Sequence, residues 1–298
     1  MIKRNNFKGI LPAVITPFTQ DRKFSPQAME RLLERLYSAG AHGVYVCGKT
    51  GEGIHQDVLT RQRAAEVAMQ CSPKGKTVIV HVGAHHSADA VKLARHARGI
   101  GVAAISSLPP LRARNFAEIR QYYKRLAAIA ELPVFVYYFP ALVKGIDTYE
   151  QILELCEIPN VVGLKFTDFD LFKLSSIKKA GYVVFNGRDE VLVAGLLMGA
   201  DGGIGSTYNL IPELYARIYE RAKQQRWKEA HRVQDQANEL ITIILRFPLL
   251  PAIKTMLRWS GINCGGCLGR PRELTPSQQS ELRKLLRKSS LADFPFAG

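Results

Sequence analysis

Short apolar runs recur along the chain, and each is followed by a segment in which apolar residues return with helical spacing. Most runs are almost continuously apolar, which is typical of parallel strands that are covered on both faces. We predict eight strands, at residues 10–16, 44–47, 77–82, 103–107, 134–138, 161–166, 182–186 and 202–206. The first is the least secure because it contains Pro12, which has no backbone N–H to donate.

The intervening segments predict amphipathic helices. In the first of them Ser25 and Pro26 form a helix start, an apolar face follows, and Gly40 marks the end. Further helices are predicted at residues 58–70, 87–98, 116–129, 149–156, 171–179 and 190–198. Eight strand–helix units in one chain indicate an α/β fold of the (β/α)8 TIM-barrel type. A doubly wound open sheet is the alternative, although such sheets rarely contain so many even units.

The last part of the chain differs, since no strand is predicted after residue 220. Helical periodicity continues at residues 228–246, 253–259 and 277–288. We therefore predict a (β/α)8 barrel in residues 1–220 and a C-terminal helical region, residues 221–298, packed on the barrel.

Residues 43–50, GVYVCGKT, match the P-loop pattern G-x-x-x-x-G-K-[ST]. In a true P-loop the four variable positions form the phosphate-binding loop, and a helix begins at the Lys–Thr pair. Here those positions favour a strand, and helical periodicity resumes only near Val58. We therefore reject the nucleotide-binding interpretation. Residues 48–52 instead predict an anion-binding loop at the carboxyl end of the second strand, where barrel enzymes build their sites.

The net charge is +15, which suits either nucleic acid or small anions as partners. Lys and Arg are spread along the whole chain, and no basic motif interleaved with aromatic residues is present, so we expect no nucleic-acid partner. The five cysteines are odd in number and lack disulfide-like spacing, which suits a reducing compartment. Cys264-Gly-Gly-Cys267 has no second ligand pair nearby, which favours an ordinary loop over zinc.

Hydropathy argues against a membrane protein, because no apolar run approaches the roughly 20 residues that cross a bilayer. Pro12 and Pro17 interrupt the apolar stretch near the N-terminus, and no small-residue cleavage site precedes Asp21. We therefore expect no signal peptide, no membrane partner and a cytoplasmic location.

Lys165 is an unusual residue for the predicted sixth strand, since lysine is depleted in strands and is rarely buried without a task. Strict alternation places Val161, Gly163, Lys165 and Thr167 on one face. If that face points into the barrel, desolvation lowers the pKa of the amine, as a Schiff-base lysine requires. The alternative is a lysine at a strand end whose amine reaches solvent.

Tyr137 ends the neighbouring fifth strand, where its phenol can move a proton to or from a substrate bound to Lys165. The alternatives are that Tyr137 is a core aromatic residue or that Tyr138 has this role. Asp189 and Glu190 follow the seventh strand, where carboxylates suit polyol hydroxyls or a helix cap.

His81, His85 and His86 follow the third strand and suggest a metal site. No carboxylate motif accompanies them, so we expect no metal.

Five motifs occur in order over the predicted barrel: residues 13–18 (AVITPF), residues 48–52 (GKTGE), Tyr137 followed by Pro140, residues 163–165 (GLK), and residues 199–209 (GADGGIGSTYN). With these motifs the chain resembles the N-acetylneuraminate lyase and dihydrodipicolinate synthase superfamily of pyruvate-dependent class I aldolases. The resemblance implies a TIM barrel with a C-terminal helical extension, and a homotetramer. It also implies that Lys165 forms the Schiff base, that Tyr137 shuttles protons, and that no cofactor is needed.

The resemblance further implies that the substrate carboxylate binds at Thr50, with the backbone amides of Thr50 and Gly51. Residues 137–142 (YYFPAL) and 165–171 (KFTDFDL) are similar to the pattern of the sialic acid lyase branch. Leu142 lies where the synthase branch usually has an arginine that holds a carboxylate. The residues that match sugar-binding positions of the lyases are Thr167, Gly187, Asp189, Glu190 and Ser206.

Two departures from the family pattern stand out. Lys49 replaces a serine or threonine whose hydroxyl helps to bind carboxylate or to relay protons. A lysine there predicts stronger carboxylate binding, a need for a second acidic group on the substrate, or a blocked pocket. Residues 109–114 also lack the tyrosine that many members insert across a subunit interface, which bears on the proton relay.

We therefore expect a class I aldolase that cleaves a small 2-keto sugar acid, such as N-acetylneuraminate, to pyruvate and an aldehyde sugar. The alternatives within the superfamily are a dihydrodipicolinate synthase-type enzyme or another pyruvate aldolase. The alternatives outside it are a metal-dependent aldolase that uses the three histidines, and a sugar-acid-binding homologue inactivated by Lys49.

Overall fold

The computed structural model describes residues 7–297. Its strands are β1 (Gly9–Pro12), β2 (Gly43–Val46), β3 (Thr77–His81), β4 (Ala104–Ser107), β5 (Val134–Tyr138), β6 (Val161–Phe166), β7 (Val183–Asn186) and β8 (Gly202–Gly205). Its helices are α1 (Pro26–Ser38), α2 (Val58–Cys71), α3 (Ser87–Gly99), α4 (Phe116–Ala130), α5 (Tyr149–Cys156), α6 (Leu171–Lys179), α7 (Leu192–Leu197), α8 (Pro212–Lys223), α9 (Trp227–Ile244), α10 (Leu249–Trp259) and α11 (Pro276–Arg287).

All the strands are parallel, and they pair in the order β1-β8-β7-β6-β5-β4-β3-β2. Hydrogen bonds from His42 N to Ile10 O and from Val14 N to Tyr45 O, both 2.9 Å, join β1 to β2. These contacts bring the two ends of the sheet together as a barrel. The predicted TIM barrel is confirmed, and the open-sheet alternative is wrong.

Two apolar layers follow from the alternation of side chains along the strands. The larger layer fills the space between the strands and the surrounding helices. The smaller one fills the inside of the barrel and includes Leu11, Tyr45, Phe135, Tyr137 and Phe185. The barrel is thus a packed core, and a site for chemistry lies at its end.

Local sequence signals fix several helix ends. Pro26 is the first residue of α1, and Gly40 has φ +95°, the left-handed conformation that commonly ends a helix. Thr148 and Thr275 form capping boxes at the starts of α5 and α11. Helix α7 begins at Leu192, two residues later than predicted, because Asp189–Val191 form a 3-10 turn.

The expected alternation along β6 is wrong at its first residue. The pairing of β5 with β6 shifts by one residue between Val134/Val161 and Phe135/Gly163. Val161 consequently packs in the outer layer, whereas Val162 packs inside the barrel. The extra residue is Val162, three positions before Lys165, and it sets the direction in which the side chains at the carboxyl end of the strand point.

The C-terminal region consists of α9, α10 and α11, as the periodicity predicts. Helix α8 runs to Lys223, so the predicted boundary after residue 220 falls in its last turn, and the two-region division stays a prediction. Among residues 7–297 no single helix is long and apolar enough to cross a bilayer. Helices α9 and α10 meet that requirement only as a pair, and they bend by 112° at their junction.

Candidate active site

The stretch that resembles a P-loop is a strand followed by a tight loop. Residues 43–46 form β2, and Cys47 and Glu52 both have left-handed backbones, with φ of 60° and 54°. A 3-10 turn at Gly53–His55 precedes α2, which begins only at Val58. Since no helix starts at the Lys–Thr pair, this stretch does not have the geometry of a P-loop.

The loop of residues 48–52, which we call the carboxylate loop, is fixed by two side-chain hydrogen bonds to the carbonyl of Gly51. Thr16 Oγ1 donates to Gly51 O at 2.8 Å, and Gln56 Nε2 donates to the same carbonyl. Glu52 N bonds to Lys49 O, yet no backbone hydrogen bond found within residues 7–297 uses the amides of Thr50 and Gly51. A side chain on Gly51 would lie 2.9 Å from Val14 O, so the close approach needs glycine. Two N–H groups are therefore free to bind an anion.

Glu52 ends the carboxylate loop inside the protein. Its side chain is 3% exposed and forms an ion pair with Lys254 of α10, itself 2% exposed, at 2.9 Å. Glu52 also accepts hydrogen bonds from the amides of Leu268 and Gly269, and Lys254 donates to Gly266 O. This ion pair joins the carboxylate loop to the C-terminal region. No local sequence signal pointed to it, because the two residues are 202 positions apart.

Lys165 lies in β6 beside Tyr137 of β5 and is 4% exposed. Its Nζ is 4.3 Å from the ring centroids of both Tyr45 and Tyr137. Burial lowers the pKa of the amine to about 7, with Asp189 opposing the fall and Lys49 adding to it. A large share of the amine is therefore neutral and nucleophilic at neutral pH.

Tyr137 points into the barrel, whereas Tyr138 does not. Burial raises the pKa of the Tyr137 phenol well above its usual range, so the group is neutral at pH 7. Tyr138 packs in the outer layer against Phe166, and its hydroxyl accepts a hydrogen bond from Lys173 at 3.3 Å. Of the two tyrosines, only Tyr137 faces Lys165.

Asp189 lies in the turn after β7, and its side chain is held in place by the turn after β8. Its Oδ2 accepts hydrogen bonds from Thr207 N at 2.8 Å and from Thr207 Oγ1 at 2.6 Å. Burial raises the pKa of the carboxyl to about 6, although the bonds from Thr207 oppose that rise. A side chain on Gly205 would lie 2.1 Å from Asp189 Oδ1, so the fit requires glycine.

Thr167 and Gly187 meet at the same end of the barrel. A side chain on Gly187 would lie 2.1 Å from Thr167 Oγ1. Burial raises the pKa of Tyr137, and the nearby Thr167 hydroxyl opposes that rise. Within residues 7–297 this buried hydroxyl oxygen has no hydrogen-bond partner of good geometry. Glu190 and Ser206 are half-buried nearby. These groups offer polar contacts to a ligand with several hydroxyls.

Two residues of α9 that were not predicted to belong to the site fix the turn of Asp189 and Glu190 through its backbone. Gln234 Nε2 donates to Asp189 O and Asn238 Nδ2 donates to Glu190 O, both at 3.0 Å. Gln234 is 4% exposed. The sequence signal for these two residues was weak: two amide side chains, four positions apart, on a helix face that is otherwise largely apolar and buried. The C-terminal region thus supports a second loop of the site.

The three histidines are not brought together as a metal site. His81 is buried, and its Nε2 accepts a hydrogen bond from Leu108 N at 3.0 Å, whereas His85 and His86 are exposed. No group of three His, Cys, Asp or Glu side chains in residues 7–297 is placed to hold a metal. The alternative of a metal-dependent aldolase built on these histidines is not supported.

Lys49 and Arg188 lie at the mouth of the barrel, and both are close to the ring of Phe139. Lys49 Nζ is 5.1 Å from the centroid of the Phe139 ring, and the guanidinium carbon of Arg188 is 5.5 Å from it. Arg188 also lies 4.3 Å from the centroid of Phe169. Burial, and then the charge of Arg188, lower the pKa of Lys49.

A buried lysine with a lowered pKa, at the carboxyl end of a TIM barrel and facing a tyrosine, is the arrangement that a class I aldolase, an enzyme that acts through an imine, requires. Residues 6–289 match the model of the dihydrodipicolinate synthetase family. The chain belongs to that family, and it is a carbon–carbon lyase.

Relatives agree with this assignment. The chain is 36% identical over 283 residues to the N-acetylneuraminate lyase of Rhizobium meliloti, with 93% of each chain covered. A solved structure of a Ruminococcus gnavus sialic acid aldolase, a catalytic lysine mutant, has a TM-score of 0.90 at 30% identity and covers 96% of this chain and 97% of its own. A Clostridium difficile protein in complex with mannosamine also has a TM-score of 0.90, at 29% identity, and covers 95% of this chain and 99% of its own.

Proposed function

We propose that the protein cleaves 2-keto sugar acids of the N-acetylneuraminate type to pyruvate and an aldehyde sugar. The observation that carries the proposal is the burial of Lys165, which lowers the pKa of its amine to about 7 beside Tyr137. The relatives named N-acetylneuraminate lyase support this substrate class over the synthase alternative. Leu142 in place of the arginine typical of the synthase branch supports it too.

In the proposed reaction the neutral amine of Lys165 attacks the C2 ketone, and loss of water gives a protonated imine. The imine accepts the electron pair of the C3–C4 bond as that bond breaks, which leaves an enamine and the aldehyde. Tyr137 assists removal of the C4 hydroxyl proton. Because its phenol is neutral, Tyr137 can take that proton only as it passes its own proton on, so it acts as a relay. Protonation at C3 and hydrolysis then release pyruvate.

The substrate carboxylate is assigned to the carboxylate loop, where Thr50 and the amides of Thr50 and Gly51 are available, with Lys49 adjacent. The hydroxyls of the sugar are assigned to the opposite side of the mouth, to Thr167, Gly187, Asp189, Glu190 and Ser206. The orphaned Thr167 hydroxyl and the fixed carboxylate of Asp189 support that assignment.

The imine is itself the electron sink, so we infer that neither a metal nor an organic cofactor is needed. Within residues 7–297 no disulfide joins any of the five cysteines, which supports a reducing, cytoplasmic setting. A homotetramer is inferred from the family resemblance, and the exposed apolar side chains Leu59, Leu111, Phe172 and Leu197 support association. Analytical ultracentrifugation tests the assembly.

The test of the mechanism is reduction with borohydride in the presence of pyruvate, followed by mass mapping of peptides. We expect pyruvate to be trapped on Lys165 and no trapping in Lys165→Met. Trapping at another lysine, or none in the wild type, would refute the imine mechanism. Release of pyruvate from N-acetylneuraminate, unaffected by a chelator, tests the substrate class and the absence of a metal together.

A further inference from the structure

Two cations converge on one aromatic ring at the mouth of the barrel. Lys49 comes from the loop after β2 and Arg188 from the loop after β7, yet both lie within 5.5 Å of the centroid of Phe139. They are close enough for the charge of Arg188 to lower the pKa of Lys49. The space above Phe139 is therefore strongly positive.

This positive charge is only partly compensated by the protein. Lys49 forms no ion pair with any carboxylate of residues 7–297, and the nearest for Arg188 is Glu190, at the long distance of 4.0 Å. The Nε of Arg188 is buried and has no hydrogen-bond partner there. Like charges held together are unfavourable, and an unpaired buried donor adds to the cost. A bound anion would relieve both.

The pyruvate part of the substrate has its own donors in the proposed site, namely Thr50, the amide of Gly51 and Lys165. On the basis of that proposed function, we infer that Lys49 and Arg188 select 2-keto acids that carry a second acidic group, a carboxylate or a phosphate, outside the pyruvate fragment. A guanidinium can grip either group with two parallel hydrogen bonds. The neighbouring aromatic rings help to hold both cations in place.

The experiment compares substrates that differ only in the second charge. One pair is N-acetylneuraminate and its 9-phosphate; the other is a 2-keto-3-deoxy sugar acid ending in CH2OH and its counterpart ending in a carboxylate. In each pair we expect kcat/KM for pyruvate release to be about tenfold higher for the member with the second acidic group, mainly because its KM is lower. The preference should shrink as the salt concentration rises from about 0.05 to 0.5 M, because salt screens such charges.

Lys49→Ser and Arg188→Gln should each reduce the preference to about threefold or less, and the double variant should abolish it. Lys173→Ser is the matched control. It also removes a positive charge near the mouth, but Lys173 pairs with Asp170 and contacts Tyr138 in the outer layer. The control should keep the preference of the wild type.

Borohydride trapping with pyruvate alone separates this inference from the proposed function, since pyruvate has no second acidic group. Absence of trapping on Lys165 refutes the aldolase mechanism itself. Normal trapping with equal kcat/KM for both members of both pairs overturns the inference and leaves the aldolase intact. If Lys49→Ser lowers kcat/KM equally for the members with and without the second acidic group, Lys49 serves the pyruvate carboxylate and the inference is also wrong. A preference confined to one pair supports it and identifies the acidic group.

Discussion

The ion pair between Glu52 and Lys254 makes the stability of the barrel depend on the C-terminal region. Both side chains are at most 3% exposed, and their charged atoms are 2.9 Å apart. At an effective dielectric constant of about 20, that distance corresponds to a gross attraction of about 6 kcal/mol, most of which offsets desolvation. Removing one partner leaves the other charge buried. We expect Glu52→Gln and Lys254→Met each to lower the free energy of unfolding by about 3–5 kcal/mol.

The double variant should lose clearly less than the sum of the two single losses, because neither charge is then left alone. A double-mutant cycle, measured by chemical denaturation at one protein concentration, should give a coupling energy of about 2 kcal/mol. Because Glu52 ends the carboxylate loop, its single variant should also raise KM for the keto acid more than it lowers kcat.

The matched control is the pair of Arg246 and Glu281, which lie 3.0 Å apart but are both about half exposed. The same cycle there should give less than about 1 kcal/mol. Coupling between Glu52 and Lys254 no larger than that of the control would refute the reasoning, since it would mean that burial does not strengthen the pair.

Three further predictions concern the site. The rate of imine formation should rise with pH through about 7, the pKa of Lys165, because only the neutral amine attacks. Lys49→Ser removes a cation that lowers the pKa of Lys165, so in a pH–rate profile the rise should move to higher pH. Thr207→Val removes a hydrogen bond to Asp189, so the pKa of that carboxyl, about 6 in the wild type, should rise. KM for the sugar acid should then increase by about tenfold, while trapping of pyruvate by borohydride persists. Gly187→Ala adds a carbon 2.1 Å from a neighbouring hydroxyl, so kcat/KM for the sugar acid should fall by about tenfold or more, again with trapping retained; unchanged kcat/KM would contradict the assigned sugar contact.

Features that repeat along the chain could be predicted from sequence. The eight strands and most helices follow from apolar spacing, and residues such as Pro26 and Gly40 mark a helix start and end through local backbone preferences. The anomaly of Lys165 was visible because lysine contradicts the preference of a buried strand.

Contacts between residues distant in sequence were not predictable in the same way. The one-residue shift in β6 depends on pairing with β5, so strict alternation misplaced Val161. Glu52 and Lys254 are separated by 202 positions, and neither has a local signal that names the other. The approach of Lys49 and Arg188 similarly requires the barrel to bring two loops to the same ring.

Helix α9 gives substrate recognition a second level of control. Gln234 and Asn238 hold the main chain of the Asp189–Glu190 turn through hydrogen bonds to its two carbonyl oxygens. A substitution at either position can shift the turn, and with it the carboxyl groups proposed to bind the sugar hydroxyls, without replacing any of those groups. The range of sugars that an enzyme of this kind accepts is therefore adjustable from its outer layer, where single changes leave Lys165 and its proposed imine chemistry unaltered.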